Sequence, residues 1–286
     1  MKITILSLLF LVGMFSNNSF AQKGAYAIVN LGYNFSLGSQ NIGTNTTNKT
    51  SNFHSGNTAE SVSGSFGKGT SFGFALGYMF SDNIGIELSV TQLIGSTYEL
   101  TQESTYSISQ NSFYTMITTR LSGNMLQFNP SVVVSTGKPE GLSPYAKFGI
   151  VIGLGTLVLQ GESQTTGNTI TSSNETIEAI YDGGLAIGFS SAIGTNYSFN
   201  KNISLFGELN MINISYSATK RKTTKYVVDG VDTIDDLTIY QKESEFVNDV
   251  ETNSTDIQDD SKPRQYLKTP YSFGSLGVKI GLRYAF

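Results

Sequence analysis

The 286-residue sequence contains no cysteine, no tryptophan and a single histidine, His54. Without cysteine the chain can form neither a disulfide nor a thiolate metal site, and it has no thiol nucleophile. Charged residues make up only 14% of the sequence, and the formal net charge is −4. Since nucleic-acid-binding proteins carry a basic excess, no nucleic-acid partner is expected.

Long apolar runs are also absent beyond the N-terminus. The N-terminal segment has a cation at Lys2, an apolar run over residues 3–15 and a polar stretch ending at Ala21. This pattern is typical of a secretory signal peptide, so we predict a signal at 1–21 and a mature domain at 22–286. An uncleaved anchor is the alternative, but the run is shorter than the ~20 residues that a membrane-spanning helix needs. Loss of Lys2 changes the net charge from −4 to −5.

Strict alternation of side-chain type is abundant instead. In residues 275–286 every second side chain is large and apolar, and the side chains between them are small or charged. Because side chains alternate between the two faces of a strand, this segment is predicted to be a strand between two different environments. The same alternation occurs in seven earlier segments, whereas helical periodicity is scarce. The eight segments cover approximately residues 24–38, 67–80, 84–90, 126–134, 146–154, 185–193, 203–211 and 271–286.

The connections between these segments alternate in length. Those after the second, fourth and sixth segments are short, and those after the first, third, fifth and seventh are long. The short ones are 81–83, 136–143 and 200–202, and the long ones are about 39–66, 95–124, 161–182 and 218–270. Short periplasmic turns and long extracellular loops are typical of outer-membrane barrels. We therefore predict an all-β fold, an eight-stranded antiparallel up-and-down transmembrane β-barrel in the bacterial outer membrane.

A soluble lipocalin-like barrel, with its apolar face inward, is the alternative. The second face of the segments is mostly glycine, alanine and serine, which suits the crowded interior of a narrow barrel better than a solvated exterior. Aromatic residues near the segment ends are predicted to form two interfacial girdles. These are Tyr78, Phe80, Tyr197, Phe199, Tyr284 and Phe286 at the short turns, and Phe72, Tyr216, Tyr271 and Phe273 at the long loops.

Two segments carry an irregularity. Pro130 cannot donate a backbone hydrogen bond, so we expect a bulge or a missing hydrogen bond at that position. Ile212 and Ile214 depart from the alternation set by the preceding residues, which predicts a bulge near Met211.

The mature chain resembles the small eight-stranded outer-membrane barrels of the OmpA/OmpX/OmpW type, in the form common in Bacteroidota. The resemblance rests on the signal ending "SFAQ", on "QFNPSVVVSTG…SPYAKFGIVIGLG" over 127–155, and on the closing "GVKIGLRYAF". It implies that Leu282, Tyr284 and Phe286 of the last strand are the signal read by the barrel-assembly machinery. The fold hosts many functions, so the resemblance implies a location more than an activity.

Five charged residues fall on the predicted inner face. Because buried charges need partners and an eight-stranded barrel has room only for side chains or one small ligand, we expect a salt-bridge network that closes the lumen. A gated, charge-lined pore is the alternative. Glu208 is expected to face Lys279 or Arg283 on the neighbouring last strand. The five residues are Glu87, Lys147, Glu208, Lys279 and Arg283.

The last long loop begins and ends with cations and is acidic between them. The cations are predicted either to contact lipopolysaccharide phosphates in the outer leaflet or to be ordinary solvated residues. Calcium binding by the acidic stretch 226–260 is weakly supported, since its spacing does not match an EF-hand loop, and no cofactor is expected. The cations are Lys220, Arg221, Lys222, Lys225, Lys262, Arg264 and Lys268.

The long loops are the expected carriers of function, because loops held by a rigid scaffold commonly are. We predict a monomeric, non-enzymatic protein with a structural or surface-interaction role, in adhesion or envelope integrity, with loops that bind an extracellular ligand. A small channel for hydrophobic or small polar solutes is the alternative. A lipid A-modifying enzyme is less favoured, because His54 with Ser51, Ser55 and Glu60 nearby lacks any supporting motif.

Overall fold

The computed structural model describes residues 23–137, 141–168, 172–250 and 258–286. Within these ranges nearly all regular structure is strand, and one sheet contains seventeen strands. The all-β prediction is confirmed. The predicted signal peptide, residues 1–21, lies outside the described residues, as do short parts of three connections.

The strands are numbered β1–β17 in chain order. Two short helical elements, a 3-10 turn at Ile234–Asp236 and helix α1 at Ile239–Lys242, lie between β13 and β14. The strand bounds are β1 Gly24–Ser36, β2 Gln40–Ser51, β3 Ser55–Gly64, β4 Gly69–Met79, β5 Ile84–Gly95, β6 Tyr98–Ile108, β7 Asn111–Ser135, β8 Gly141–Gly167, β9 Ser173–Asp182, β10 Ala186–Ser198, β11 Ile203–Tyr216, β12 Lys220–Val228, β13 Val231–Asp232, β14 Glu243–Val247, β15 Arg264–Leu267, β16 Tyr271–Ser272 and β17 Ser275–Ala285.

None of the helices in the described ranges has the length and apolar character needed to cross a membrane.

The strands that carry the alternating apolar pattern pair into a closed circuit. Strand β1 pairs with both β17 and β4. The circuit continues from β4 through β5, β7, β8, β10 and β11 and returns to β17. Every pair in it is antiparallel. A closed sheet leaves no open edge, which satisfies the requirement that backbone polar groups be paired inside a lipid bilayer.

The sheet has more strands than the eight that the sequence predicted, because the long connections also contain strands. Strands β2 and β3 form a hairpin between β1 and β4, and β6 pairs with the first half of β7. Strand β9 pairs with the end of β8 and with β12. Strands β2, β3 and β6 are largely polar on both faces, so they have no apolar period by which a strand could be identified.

The large apolar side chains of the circuit point outward. Phe148 is 64% exposed, Ile280 is 60% exposed and Leu282 is 50% exposed. Tyr284 and Phe286, the other members of the predicted assembly signal, lie on the same outward face of β17. An outward apolar belt is the arrangement of a lipid-facing wall and the reverse of a soluble barrel.

Aromatic pairs surround the end of the circuit that carries the short turns, and we call this the short-turn end. Three pairs, each formed by a residue near the end of a strand and the residue just past that end, have ring centroids 5.2–5.5 Å apart: Tyr78 with Phe80, Tyr197 with Phe199, and Tyr284 with Phe286.

The opposite end of the circuit carries the long connections, and we call it the extended end. The girdle predicted there is wrong in part. Phe72 is exposed on the outer face, but Tyr216 and Phe273 are fully buried in the interior and Tyr271 is partly buried against the same cluster. The lumen is apolar at that level, so aromatic side chains there pack inward instead of facing lipid.

The same apolar lumen explains β11. Its register with β10 and with β17 runs without a shift, so the predicted bulge near Met211 is wrong. Ile212 and Ile214 are buried inward, while Asn213 between them and Ser215 after them point outward. The alternation of faces is intact, and only the polarity of the two faces changes.

At Pro130 the ladder between β7 and β8 is interrupted. The paired residues run to Phe128 opposite Ile152 and resume at Ser131 opposite Gly149. The interval is the same on both strands, so no residue is inserted. Of the two expected irregularities, the structure shows the missing pairing and not a bulge.

The barrel lumen as the candidate functional site

Inward-facing side chains fill the closed circuit in three layers. The layer at the short-turn end is a buried apolar cluster formed by Tyr26, Ile28, Ala75, Met79, Val133, Tyr145 and Phe206. The layer at the extended end is a second buried apolar cluster, formed by Phe66, Leu93, Met125, Val151, Leu157, Ala186, Ile212, Ile214, Tyr216, Ala218 and Phe273. The side chains between the two clusters are charged or polar.

A bridge of charges crosses the lumen next to the short-turn cluster. The Lys147 ammonium lies 2.8 Å from Glu87 Oε1 and 3.0 Å from Glu208 Oε2. Lys147 is on β8, two strands along the circuit from both β5 and β11, which carry the two glutamates. The Tyr26 hydroxyl donates to Glu87 Oε2 at 2.9 Å, and the Tyr145 hydroxyl donates to Glu208 Oε2 at 3.0 Å. Two Tyr–Glu units from opposite walls are therefore joined by one lysine.

The structure brings the predicted inner-face charges into one region, but with different partners. Glu208 lies directly opposite Lys279 in the register of β11 and β17, yet its ion pair is with Lys147. The Arg283 guanidinium carbon lies 3.8 Å from the centre of the Tyr26 ring. Within the described residues, Lys279 forms no ion pair.

Sequence reasoning missed the two tyrosines of this network. Tyr26 alternates with Ala27 and Val29, and Tyr145 alternates with Ala146, so both occupy inward positions of their strands. Their place in the alternation was therefore the sequence signal that could have identified them as inward-facing residues. A tyrosine at an inward position beside a buried carboxylate supplies the hydroxyl donor that such a carboxylate needs.

A small cavity borders the bridge of charges and extends from it toward the extended-end cluster. The cavity has a volume of about 30 Å³. Asn30, Thr91, Ser190, Asn210 and Lys279 are among the residues that line it. Its walls offer hydroxyl, amide and ammonium groups. Glu87, Lys147 and Glu208 of the charge bridge also line it, as do the apolar side chains Ile28, Phe206 and Ile212.

The extended-end cluster includes residues from the connections as well as from the circuit. Phe66, between β3 and β4, lies with its ring 5.8 Å from that of Phe273 and 5.6 Å from that of Tyr98. Its backbone N–H donates to the Ser272 carbonyl at 2.9 Å, and the Ser65 hydroxyl donates to the Gly274 carbonyl at 2.8 Å. These bonds hold Phe66 across the mouth of the lumen.

Three of the seven loop cations have carboxylate partners within the chain. Lys222 lies 3.6 Å from Glu243, and Lys225 lies 3.7 Å from Glu178. The third, Lys262, lies 2.9 Å from Asp259.

The Asp259 carboxylate also accepts a hydrogen bond from the Ser261 hydroxyl. This bond and the pairing with Lys262 lower the pKa of Asp259 to about 2.

The other four loop cations form no ion pair among the described residues. Arg264 lies over the Tyr266 ring at 4.9 Å, and Arg221 lies over the Tyr181 ring at 5.9 Å. The side chains of Lys220 and Lys268 are exposed.

Among the described residues, the other candidates for catalysis or metal binding do not come together in a site. At the tip of the β2–β3 hairpin, Ser51 exchanges hydrogen bonds with the backbone of His54 rather than with its imidazole. No group of three or more potential metal ligands occurs among the described residues. Residues 251–257 of the acidic stretch lie outside them.

Comparison with known proteins places the chain in a family. The model of the family described as "Outer membrane protein beta-barrel domain" matches residues 6–234. No curated protein shows significant similarity to the sequence.

Similar solved structures include three outer-membrane or surface proteins. The outer membrane protein OprG from Pseudomonas aeruginosa has 12% identity and a TM-score of 0.43, and the alignment covers 93% of this chain and 98% of OprG. Neisserial surface protein A has 12% identity and a TM-score of 0.35, and the alignment covers 92% of this chain and 97% of that protein. CarO2 of Acinetobacter baumannii has 14% identity and a TM-score of 0.31, and the alignment covers 94% of this chain and 100% of CarO2. Because the family match spans most of the sequence, the chain belongs to the outer membrane protein beta-barrel domain family, whose place is the bacterial outer membrane.

Proposed function

We propose that this protein is a non-conducting, eight-stranded outer-membrane barrel that carries a β-sheet extension on the cell surface, with a structural or surface-interaction role. The membrane-spanning wall in this proposal is the closed circuit of β1, β4, β5, β7, β8, β10, β11 and β17. The short turns face the periplasm, and the extended end faces the exterior.

The observation that carries the proposal is the closure of the lumen at three levels. Apolar clusters fill both ends. Between them, Lys147 joins Glu87 to Glu208 from opposite walls. A conducting pore needs a continuous path for water, whereas an eight-stranded barrel is just wide enough for its own side chains. This arrangement favours a plug over a channel.

The extended end supports the surface role. Strands β7 and β8 have 25 and 27 residues, whereas a tilted strand crosses a bilayer with about 9–11 residues. More than half of each strand therefore projects beyond the membrane. Strand β2 pairs with β6 in parallel, so the first two hairpins form one continuous projecting sheet. Its exposed polar faces are available to an extracellular ligand.

Electrical recording tests the plug. We expect the purified, full-length mature protein to give no single-channel steps in planar lipid bilayers, because both ends of the lumen are sealed by buried apolar side chains. A general porin inserted into the same bilayers serves as the positive control. Steady, reproducible steps from the wild-type protein would favour the small channel instead.

Cysteine labelling on intact cells tests the orientation, since the sequence has no cysteine to interfere. Phe53 at the tip of the β2–β3 hairpin is 99% exposed, and Lys201 lies in a short turn. We expect a membrane-impermeant maleimide to label Phe53→Cys on intact cells. Lys201→Cys should react only after the outer membrane is permeabilised. The opposite pattern would contradict the orientation.

A further inference from the structure

The five charges inside the lumen do not balance. Three cations, Lys147, Lys279 and Arg283, accompany two carboxylates, Glu87 and Glu208, which leaves one positive charge. A buried charge without a counter-charge is costly, because water no longer solvates it. The arrangement therefore calls for one more negative charge.

Within the described residues neither Arg283 nor Lys279 forms an ion pair, but of the two only Lys279 lines the polar cavity. The lysine stem crosses Gly32, where the Lys279 Cγ atom lies close to the glycine backbone. Three of the four oxygens of the nearby carboxylates already have donors. Both oxygens of Glu87 are bonded, by Lys147 and Tyr26, and Glu208 Oε2 is bonded by Lys147 and Tyr145. Arg283, by contrast, is stacked on Tyr26 nearer the short turns.

A second, independent observation comes from asparagine side chains in the same region. Asn210 is 4% exposed, and within the described chain neither its Oδ1 nor its Nδ2 has a hydrogen-bond partner. Oδ1 of Asn34, which is 3% exposed, and Oδ1 of Asn30 also have none there. Leaving such a group unsatisfied costs about 1–3 kcal/mol, so native proteins rarely do so.

The cavity between these groups determines the size of what they can bind. Lys279, Asn30 and Asn210 all line the cavity of about 30 Å³. A cavity needs about 10–15 Å³ of this volume to hold one water, so the space suits a monatomic ion or about two waters and excludes larger organic molecules. Glu87 and Glu208 line the same cavity, but three of their four oxygens already accept hydrogen bonds within the bridge. The Lys279 ammonium and the Asn210 carboxamide N–H are donors without a partner in the described chain, which fits an anion.

We propose that the lumen holds a monovalent inorganic anion, chloride under ordinary conditions, between the Lys279 ammonium and the Asn210 amide. The anion balances the charge of the lumen and accepts hydrogen bonds from both side chains. Asn30, whose free atom is an acceptor and which also lines the cavity, pairs with water beside it.

Bromide substitution tests the site directly. The full-length mature chain is refolded and crystallised in bromide, and anomalous scattering is measured. We expect one peak in contact with Lys279 and Asn210 in the wild type and in the control Lys201→Met, and its loss in Lys279→Met. A wild-type lumen without a peak, or a peak that persists in Lys279→Met, would overturn the proposal.

Thermal unfolding in detergent gives an independent readout. A ligand that binds only the folded state raises Tm as its concentration rises. Wild-type Tm is therefore expected to rise with bromide or chloride but not with gluconate, which is too large for the cavity. In Asn210→Asp, the new carboxylate takes the place of the bound anion, so Tm should no longer depend on the halide concentration. Equal wild-type curves in chloride and gluconate would show that no small anion occupies the site and would overturn the proposal.

Discussion

Replacement of Lys147 by methionine is expected to lower the free energy of unfolding by about 3–5 kcal/mol, the cost of leaving a buried charge without its partner. Methionine keeps much of the apolar stem but removes the ammonium that joins Glu87 to Glu208. Both glutamates are nearly inaccessible, at 6% and 7% exposed. Two facing carboxylates would then repel each other with only tyrosine hydroxyls as donors. Urea unfolding in detergent micelles or lipid vesicles measures the loss.

Two control variants separate the charge effect from loss of packing. Lys201→Met removes a lysine from an exposed short turn and should change the free energy of unfolding by less than about 0.5 kcal/mol. Lys147→Met combined with Glu87→Gln and Glu208→Gln removes all three charges and should recover most of the loss, since a neutral replacement of a buried ion pair is often tolerated. If the triple variant is as unstable as Lys147→Met, the bridge acts by packing and not by charge.

Truncation of Phe273 to alanine is expected to cost about 3–5 kcal/mol, the range for removing a large buried aromatic side chain. Phe273 is fully buried and packs on Phe66 and Tyr216, with ring centroids 5.8 Å and 6.0 Å away. The strand and connection residues around it are held by backbone hydrogen bonds, so the cavity cannot collapse fully. The same urea unfolding experiment provides the measurement.

Phe72 is the matched control for this change. It is also a phenylalanine near the extended end, but it lies on the outer face and is 50% exposed. Phe72→Ala opens no internal cavity and should cost clearly less than Phe273→Ala. Equal losses for the two variants would mean that Phe273 does not seal the lumen, and that the inward packing at this end is wrong.

The sequence predicted the wall well because the signal for a strand is local. An alternation of period two identifies which side chains share a face, as it did for Leu282, Ile280 and Phe148. It also placed Glu87 and Glu208 on the inner face. It failed for β2, β3 and β6, where both faces are polar and no apolar period exists.

The pattern of partners inside the barrel was decided by closure of the circuit. Lys147 is two strands from each of its glutamates, so its bridge depends on the width and curvature of the closed sheet, which no single segment encodes. The inward packing of Tyr216 and Phe273 likewise depends on Phe66, brought across the mouth from a distant connection. The sequence by itself determined which residues face lipid and which face inward, since the strand period is a property of the local backbone. Only the tertiary structure decided which inward residues meet, since contacts across a lumen are set by the geometry of the whole ring.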